Sequence, residues 1–385
     1  MMSLWKKILF ATLLTVVFLF SVNALCALGE RLAYGAFWGN NRPKGLYIHK
    51  NGERPKLKPG ANLNGLLYQI SINSLGLRGP ELLKPKPDQG IRIWAIGGST
   101  TFDIYAATDR ETWPALLQEK LQSSLPQSTI EVINAGIPGE IYWGSISDFE
   151  QHQPTVNPDY IILYHGPNDL RQVGAPPVQK PGSHMTGQKG ETEGMLFSLL
   201  SNQEWAILRV LKRWLQPMQP IRSHWKGRSI SKNMIREIEN RVIKLLRSAQ
   251  SRNVRPILAT HPLKAESKDT GDIAQARVAE SAQHLQLTPE AVIKAFEDYN
   301  AMIRSVSQRY SVPLADIRHA VGPDADNWGD ATHFRHSGSE LASKSFHDVL
   351  LKDIQSPAQI KRITGGSGAS TPSQKRPRQN QRGQR

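Results

Sequence analysis

The sequence predicts a three-layer α/β/α protein built on a parallel sheet, with a membrane segment ahead of it. Three observations carry this expectation. Five short, predominantly apolar runs recur between residues 91 and 315, separated by stretches with apolar residues at helical spacing. Glycine, asparagine and histidine cluster just after several of these runs, as they do in turns at strand ends. The first 28 residues form an apolar block behind two lysines.

That block comes first in the chain. Lys6 and Lys7 precede 21 residues, 8–28, that carry no charge and only Thr, Ser and Asn23 as polar interruptions. This is roughly one bilayer span. The basic flank orients such a segment with its start in the cytoplasm, so the chain after Glu30 is expected to be membrane-anchored and extracytoplasmic. A cleaved signal peptide, with a small-residue site at 22–24, is the rival reading and makes the protein secreted. Cys26 follows Leu25 rather than a small residue, so it reads as an apolar membrane residue and not as a lipid attachment point. As the single cysteine it also excludes internal disulfides and a Cys-based zinc site.

Residues 29–89, rich in Gly, Pro, Asn and Lys, read as a connector with short extended pieces. The main domain is expected over 90–355. Buried strands are predicted at 91–96, 130–133, 160–164, 256–259 and 312–315. Among the helices, 111–121 has Trp113, Leu116, Leu117 and Leu121 at helical spacing, Thr112 as N-cap and Pro114 in the first turn. Met234, Ile238, Val242, Leu245 and Leu246 mark a second stripe. Val292, Phe296, Tyr299, Ile303 and Val306 mark a third, opened by Thr288 and Pro289. A last helix is expected to start at Ser337, with Glu340 completing a capping box. The stretch 171–229 breaks the alternation as an insertion. Its first part, 172–194, reads as loop, and 195–215 reads as a basic amphipathic helix. That helix is either a lid, a membrane-surface element, or a helix that buries its stripe on the domain. The composition of 361–385 forbids a core and predicts a basic, disordered tail.

The overall composition, 39% apolar and 21% charged, excludes wholesale disorder and fibrous classes. Of the net charge of +15, the tail supplies seven basic residues and no acidic one, which leaves +8 for the rest. A balance of that size suits anionic lipid or acidic glycan. No helix-turn-helix, zinc-finger or RNA-binding signature is present in the sequence, so nucleic acid is not an expected partner. Nothing in the sequence sets an oligomeric state.

In an open parallel sheet, ligands bind beyond the carboxyl ends of the strands. Those positions hold Gly97-Gly98-Ser99-Thr100 after the first strand and Asn134-Ala135-Gly136-Ile137-Pro138-Gly139 after the second. His165-Gly166-Pro167-Asn168-Asp169 follows the third, and a loop after the fifth carries Asp330-Ala331-Thr332-His333. A serine hydroxyl is a weak nucleophile until a histidine accepts its proton, and the histidine needs a carboxylate to fix its tautomer. Ser99, His333 and Asp330 are the candidate catalytic residues. The N–H groups of Ser99 and Gly139 and the Asn168 side-chain amide are the candidate oxyanion hole, a device contributing roughly 3 to 4 kcal/mol per donor. Gly136 competes with Gly139 for that place. His336 reads as a surface residue, His165 and His261 as packed histidines or pocket lining, and Asp169 as a support for its own turn. Asp330, His333 and His336 are also spaced as metal ligands, but a metal explains neither Ser99 nor Asn168, and neither a metal nor another cofactor is expected. Thr101 stands where the second glycine of a G-x-S-x-G elbow belongs, which excludes that motif.

The four blocks resemble those of the SGNH/GDSL hydrolases, in the family's order, over about residues 91–352. The resemblance implies a flavodoxin-like sheet with Ser99 as nucleophile, Gly139 and Asn168 as oxyanion donors, and the pair Asp330 and His333. It departs at one point: the usual G-D-S reads Gly97-Gly98-Ser99, a variant that recurs in membrane-anchored or secreted bacterial members. Residues 73–79, Asn-Ser-Leu-Gly-Leu-Arg-Gly, resemble a segment found just ahead of the domain in that subgroup. The expected activity is a serine esterase acting on an O-acylated glycan or small ester. An envelope polysaccharide O-acyltransferase with the same triad, or a non-catalytic glycan- or partner-binding domain, are the alternatives.

Overall fold

The computed structural model describes residues 4–34, 45–48, 54–64, 68–174 and 225–359. The helix expected at 195–215 and the tail at 361–385 lie outside them. The N-terminal block forms helix α1, Leu4–Tyr34. Its apolar part, Trp5–Gly29, has a mean hydropathy of 2.4 and no residue buried in the molecule. At 1.5 Å per residue it is about 37 Å long, enough to cross a bilayer. By length and composition a membrane anchor and a signal sequence fit it equally.

Two small antiparallel pairs follow: β1 (Tyr47–Ile48) with β2 (Lys56–Leu57), and β3 (Asn62–Asn64) with β4 (Gln69–Ser71). They are not loose spacers. Leu46, Leu57, Ile70 and Ile72 bury themselves with Phe102 in a separate apolar cluster. The segment 73–79 then turns back onto the domain. Asn73 Oδ1 accepts the backbone N–H groups of Leu75 and Leu77 at 3.0 and 3.1 Å. The turn delivers Arg78, 3% exposed, into the interior.

The central sheet is parallel and five-stranded: β5 (Ile91–Gly97), β6 (Ile130–Gly136), β7 (Tyr160–Tyr164), β8 (Arg255–Ala259) and β9 (Leu314–Ala315), in the spatial order β6-β5-β7-β8-β9. This is the 2-1-3-4-5 order of flavodoxin-like folds, whose chain reversal beside the first strand opens a ligand crevice. Every residue of β5 and β7 is buried, because helices cover both faces. One face packs against α4 (Tyr142–Val156), α6 (Lys232–Ser251), α7 (Gly271–Leu285) and α8 (Pro289–Tyr310). The other packs against α3 (Trp113–Ser124) and α10 (His336–Ile354), together with the short α9 (Ile317–Val321). Two further short helices, α2 (Ser99–Phe102) and α5 (Pro167–Gly174), start at the ends of β5 and β7.

All five predicted strands are present, although the last shrinks to Leu314–Ala315. Thr288 caps α8 as expected, accepting from the Ala291 N–H at 3.3 Å. Thr112 occupies the N-cap of α3, but its hydroxyl donates to the Asp109 carbonyl instead of capping. The capping box at Ser337 and Glu340 does not form. The last helix begins at His336 with Arg335 as N-cap, and the Ser337 hydroxyl donates back to the Asp326 carbonyl at 2.8 Å. The insertion keeps a foot in the domain at each end: Arg171–Gly174 complete α5, and Trp225 is buried.

Candidate active site

The candidate serine, Ser99, stands at the first position of α2, where the chain leaves β5 and reverses. Several bonds hold this turn. Thr101 Oγ1 donates to the Tyr164 carbonyl at 3.2 Å, and the Trp113 indole N–H donates to the Thr100 carbonyl at 3.0 Å. Asp103, left-handed at the end of α2, accepts the Trp113 N–H at 2.9 Å and the Ser339 hydroxyl at 2.7 Å. Burial pushes its carboxyl up to about 6, against the pull of those bonds.

Arg78 completes the support from below. Its guanidinium donates to the carbonyls of Phe102 and Asp103 at 2.8 and 2.9 Å, and to those of Ala106 and Thr108 at 3.2 and 3.3 Å. Its Nε pairs with Asp109 at 2.8 Å. Through Arg78 the segment 73–79 gives a donor to four carbonyls of the irregular stretch behind Ser99. Burial depresses the Arg78 pKa, and the Asp109 charge works against that shift.

Ser99 Oγ lies 2.7 Å from His333 Nε2, and His333 Nδ1 lies 2.7 Å from Asp330 Oδ2. Asp330 Oδ1 accepts the N–H groups of Thr332 and His333, each at 2.9 Å, and the Tyr105 hydroxyl reaches Oδ2 at 3.3 Å. Burial opposes the Asp330 charge, but the His333 imidazole and these donors bring the carboxyl down to about 2. At neutral pH it is an acceptor only, so Nδ1 of His333 carries the proton and Nε2 turns its lone pair to Ser99. His333 itself is desolvated, yet the Asp330 carboxylate outweighs that effect and raises its pKa.

The candidate oxyanion residues lie around the loop after β6 and the start of α5. Asn168 opens α5 and its Nδ2 donates to the Glu140 carbonyl at 3.0 Å. A Cβ added to Gly98 would lie 2.8 Å from that amide nitrogen, so glycine at 98 makes room for Asn168. Gly139 takes φ +88°, a left-handed turn that aims the loop after β6 toward this corner. Gly136 is otherwise engaged, its N–H donating to Asn134 Oδ1 at 3.1 Å.

The remaining candidates surround this centre. His336 is exposed and faces Glu340 at 3.9 Å. His165 is buried, bonds the Ser145 hydroxyl through Nε2 at 2.9 Å, and packs on the Tyr142 ring. His261 stacks on Tyr164, with Nδ1 on the Pro262 carbonyl at 2.8 Å. Burial holds both imidazoles down at about 3, hence neutral. Asp169 does not serve its own turn. It reaches across to the Tyr142 N–H at 3.1 Å and to Arg241 at 3.3 Å, tying α5 to α4 and α6.

Sequence reasoning missed Asp103, Tyr105 and Glu140, whose partners are distant in the chain. Arg78 alone carried a signal, as the single charge in the turn 73–79, between Gly76 and Gly79.

The fold and site together define a flavodoxin-like α/β protein with a serine, a histidine and an aspartate in one hydrogen-bonded file at the carboxyl ends of its strands. The family model of the GDSL-like Lipase/Acylhydrolase family matches residues 95–341, and the chain belongs to that family of ester-hydrolysing enzymes. Among solved structures it is similar to the psychrotrophic esterase EstA from Pseudoalteromonas sp., at 15% identity and TM-score 0.41, over 69% of this chain and 99% of that one. A mutant of an acetyl-xylooligosaccharide esterase from Geobacillus Stearmophilus is similar at 15% identity and TM-score 0.41, over 69% and 96%. A member of the lipolytic protein G-D-S-L family from Veillonella parvula is similar at 12% identity and TM-score 0.40, over 68% and 100%. No curated protein matches the chain.

Proposed function

We propose that the chain is an extracytoplasmic serine esterase in which Ser99 is the nucleophile, His333 the general base and acid, and Asp330 the orienting carboxylate. The observation that carries this reading is the unbroken file from Ser99 Oγ through the imidazole to Asp330, with both links at 2.7 Å. Ser99 Oγ attacks the ester carbonyl while Nε2 of His333 takes its proton. The carbonyl oxygen becomes an oxyanion and receives the N–H groups of Ser99 and Gly139 and the amide of Asn168. The imidazolium, stabilised by Asp330, then protonates the leaving alcohol. Water repeats the sequence on the acyl-enzyme and releases the acid.

The domain at 90–355 carries this chemistry and takes its Arg78 support from the stretch ahead of it. Helix α1 serves as anchor or signal and directs the domain to the outer side. The substrate class we favour is an O-acylated glycan or a small ester, in keeping with the basic charge that remains when the tail is set aside. The test is turnover by the full chain in detergent of short- and long-chain aryl esters and of an O-acetylated oligosaccharide. Release of free acid whether or not a sugar acceptor is present fits a hydrolase. Product shifting to an acylated acceptor makes the protein a transferase and overturns the hydrolytic half of this reading.

A further inference from the structure

The Asn168 amide depends on a carbonyl whose own residue is held from outside the sheet and helices. Glu140 offers its backbone oxygen to Asn168 and turns its side chain the other way, into the molecule, where the carboxylate is 5% exposed. There it receives the guanidinium of Arg54, from the chain just ahead of β2. Arg54 also donates to the Gly144 carbonyl at 3.2 Å and stands 3.7 Å from Asp148. The second carboxylate oxygen of Glu140 accepts the Ile141 N–H at 2.9 Å. Burial raises the pKa of Glu140, and the Arg54 charge is the first influence that opposes it.

A carboxylate at that depth is tolerated only while it is paired. Without Arg54, Glu140 must either take up a proton or turn toward water. Turning moves the 139–141 backbone, and with it Gly139 and the acceptor that fixes Asn168. We propose that Arg54 is a positioning residue for the oxyanion hole, acting through the Glu140 carboxylate on the loop that carries Gly139 and holds Asn168. This rests on the catalytic reading given above. It makes the stretch between α1 and the sheet a working part of the enzyme.

The experiment compares wild type, Arg54→Gln, Arg54→Lys and Lys56→Gln as full chains in detergent, with a short aryl ester as substrate. Lys56 sits beside Arg54 and pairs with Asp148 at 3.3 Å without touching Glu140, so it is the control. Arg54→Gln should lower kcat per folded molecule roughly tenfold, less than loss of an oxyanion donor outright, with KM near wild type, while the unpaired Glu140 lowers Tm without unfolding the chain at the assay temperature. Arg54→Lys should recover part of the loss, because the ammonium still pairs with Glu140, and Lys56→Gln should match wild type. Equal kcat in Arg54→Gln and wild type overturns the proposal, as does a loss that only follows the folded fraction. Should Arg54→Gln not fold, Glu140→Gln keeps the shape and removes the charge pair; unchanged kcat there overturns it equally. A wild-type chain that neither turns over ester nor takes up a serine-directed phosphonate overturns the catalytic reading and this proposal together. An active wild type with an equally active Arg54→Gln overturns this proposal alone.

Discussion

At the level of single residues, the site couples one acid held far down with one base held up. Because His333 must be neutral to accept the Ser99 proton and Asp330 raises its pKa, kcat/KM should rise with pH through a limb above the ordinary histidine value of 6.5. Asp330→Asn removes the charge that raises the imidazole, so the limb should move to lower pH while the rate falls steeply. A wild-type limb at or below 6.5 contradicts this coupling. Asn168→Ala should lower kcat roughly a hundredfold with little change in KM, as loss of one oxyanion donor does. Gly98→Asp, which installs the residue usual in the family, brings a Cβ to 2.8 Å from the Asn168 amide, so the amide must shift, and kcat should change by no more than roughly tenfold while Asn168 keeps its place beside the serine. Steady-state kinetics of both variants check these outcomes. Ser99, Asn168, Asp330 and His333 were legible in the sequence because each follows a strand or precedes a helix in a short motif. Tyr105 was not, since its contact with Asp330 spans 225 positions and leaves no local pattern.

At the level of elements, strands β5 to β8 were legible because burial between two helical layers demands largely apolar runs, even with Arg92 and Glu131 among them. The helix at 142–156 was not: it carries Gly144, Pro154 and polar residues among Tyr142, Ile146 and Phe149, so its apolar stripe is short. The segment 73–79 was recognisable as a motif, but what it does follows only from the carbonyls that Arg78 collects. Arg78→Met should destabilise the fold by about 3 to 5 kcal/mol, because it removes the buried counter-ion of Asp109 and one donor from each of four carbonyls, of which all but that of Ala106 keep another donor. Denaturant unfolding of the variant measures this, and a loss under about 1 kcal/mol would show that water or neighbours satisfy those groups instead.

For the whole molecule, the two small antiparallel pairs, the 73–79 turn and the five-stranded sheet form a chain of supports that ends at the serine. The charge-flanked helix ahead of them predicts a reporter fused near residue 90 to be active outside the cytoplasm; activity confined to the cytoplasm contradicts that orientation. The central claim is that His333 activates Ser99 for attack on an ester. Its most direct measurement is mass spectrometry of the full-length protein after reaction with a serine-directed phosphonate. The account predicts a single covalent adduct on Ser99, absent in Ser99→Ala and strongly slowed in His333→Ala, with the fold of both variants intact. A folded wild-type protein that stays unlabelled, or an adduct on another residue, contradicts it.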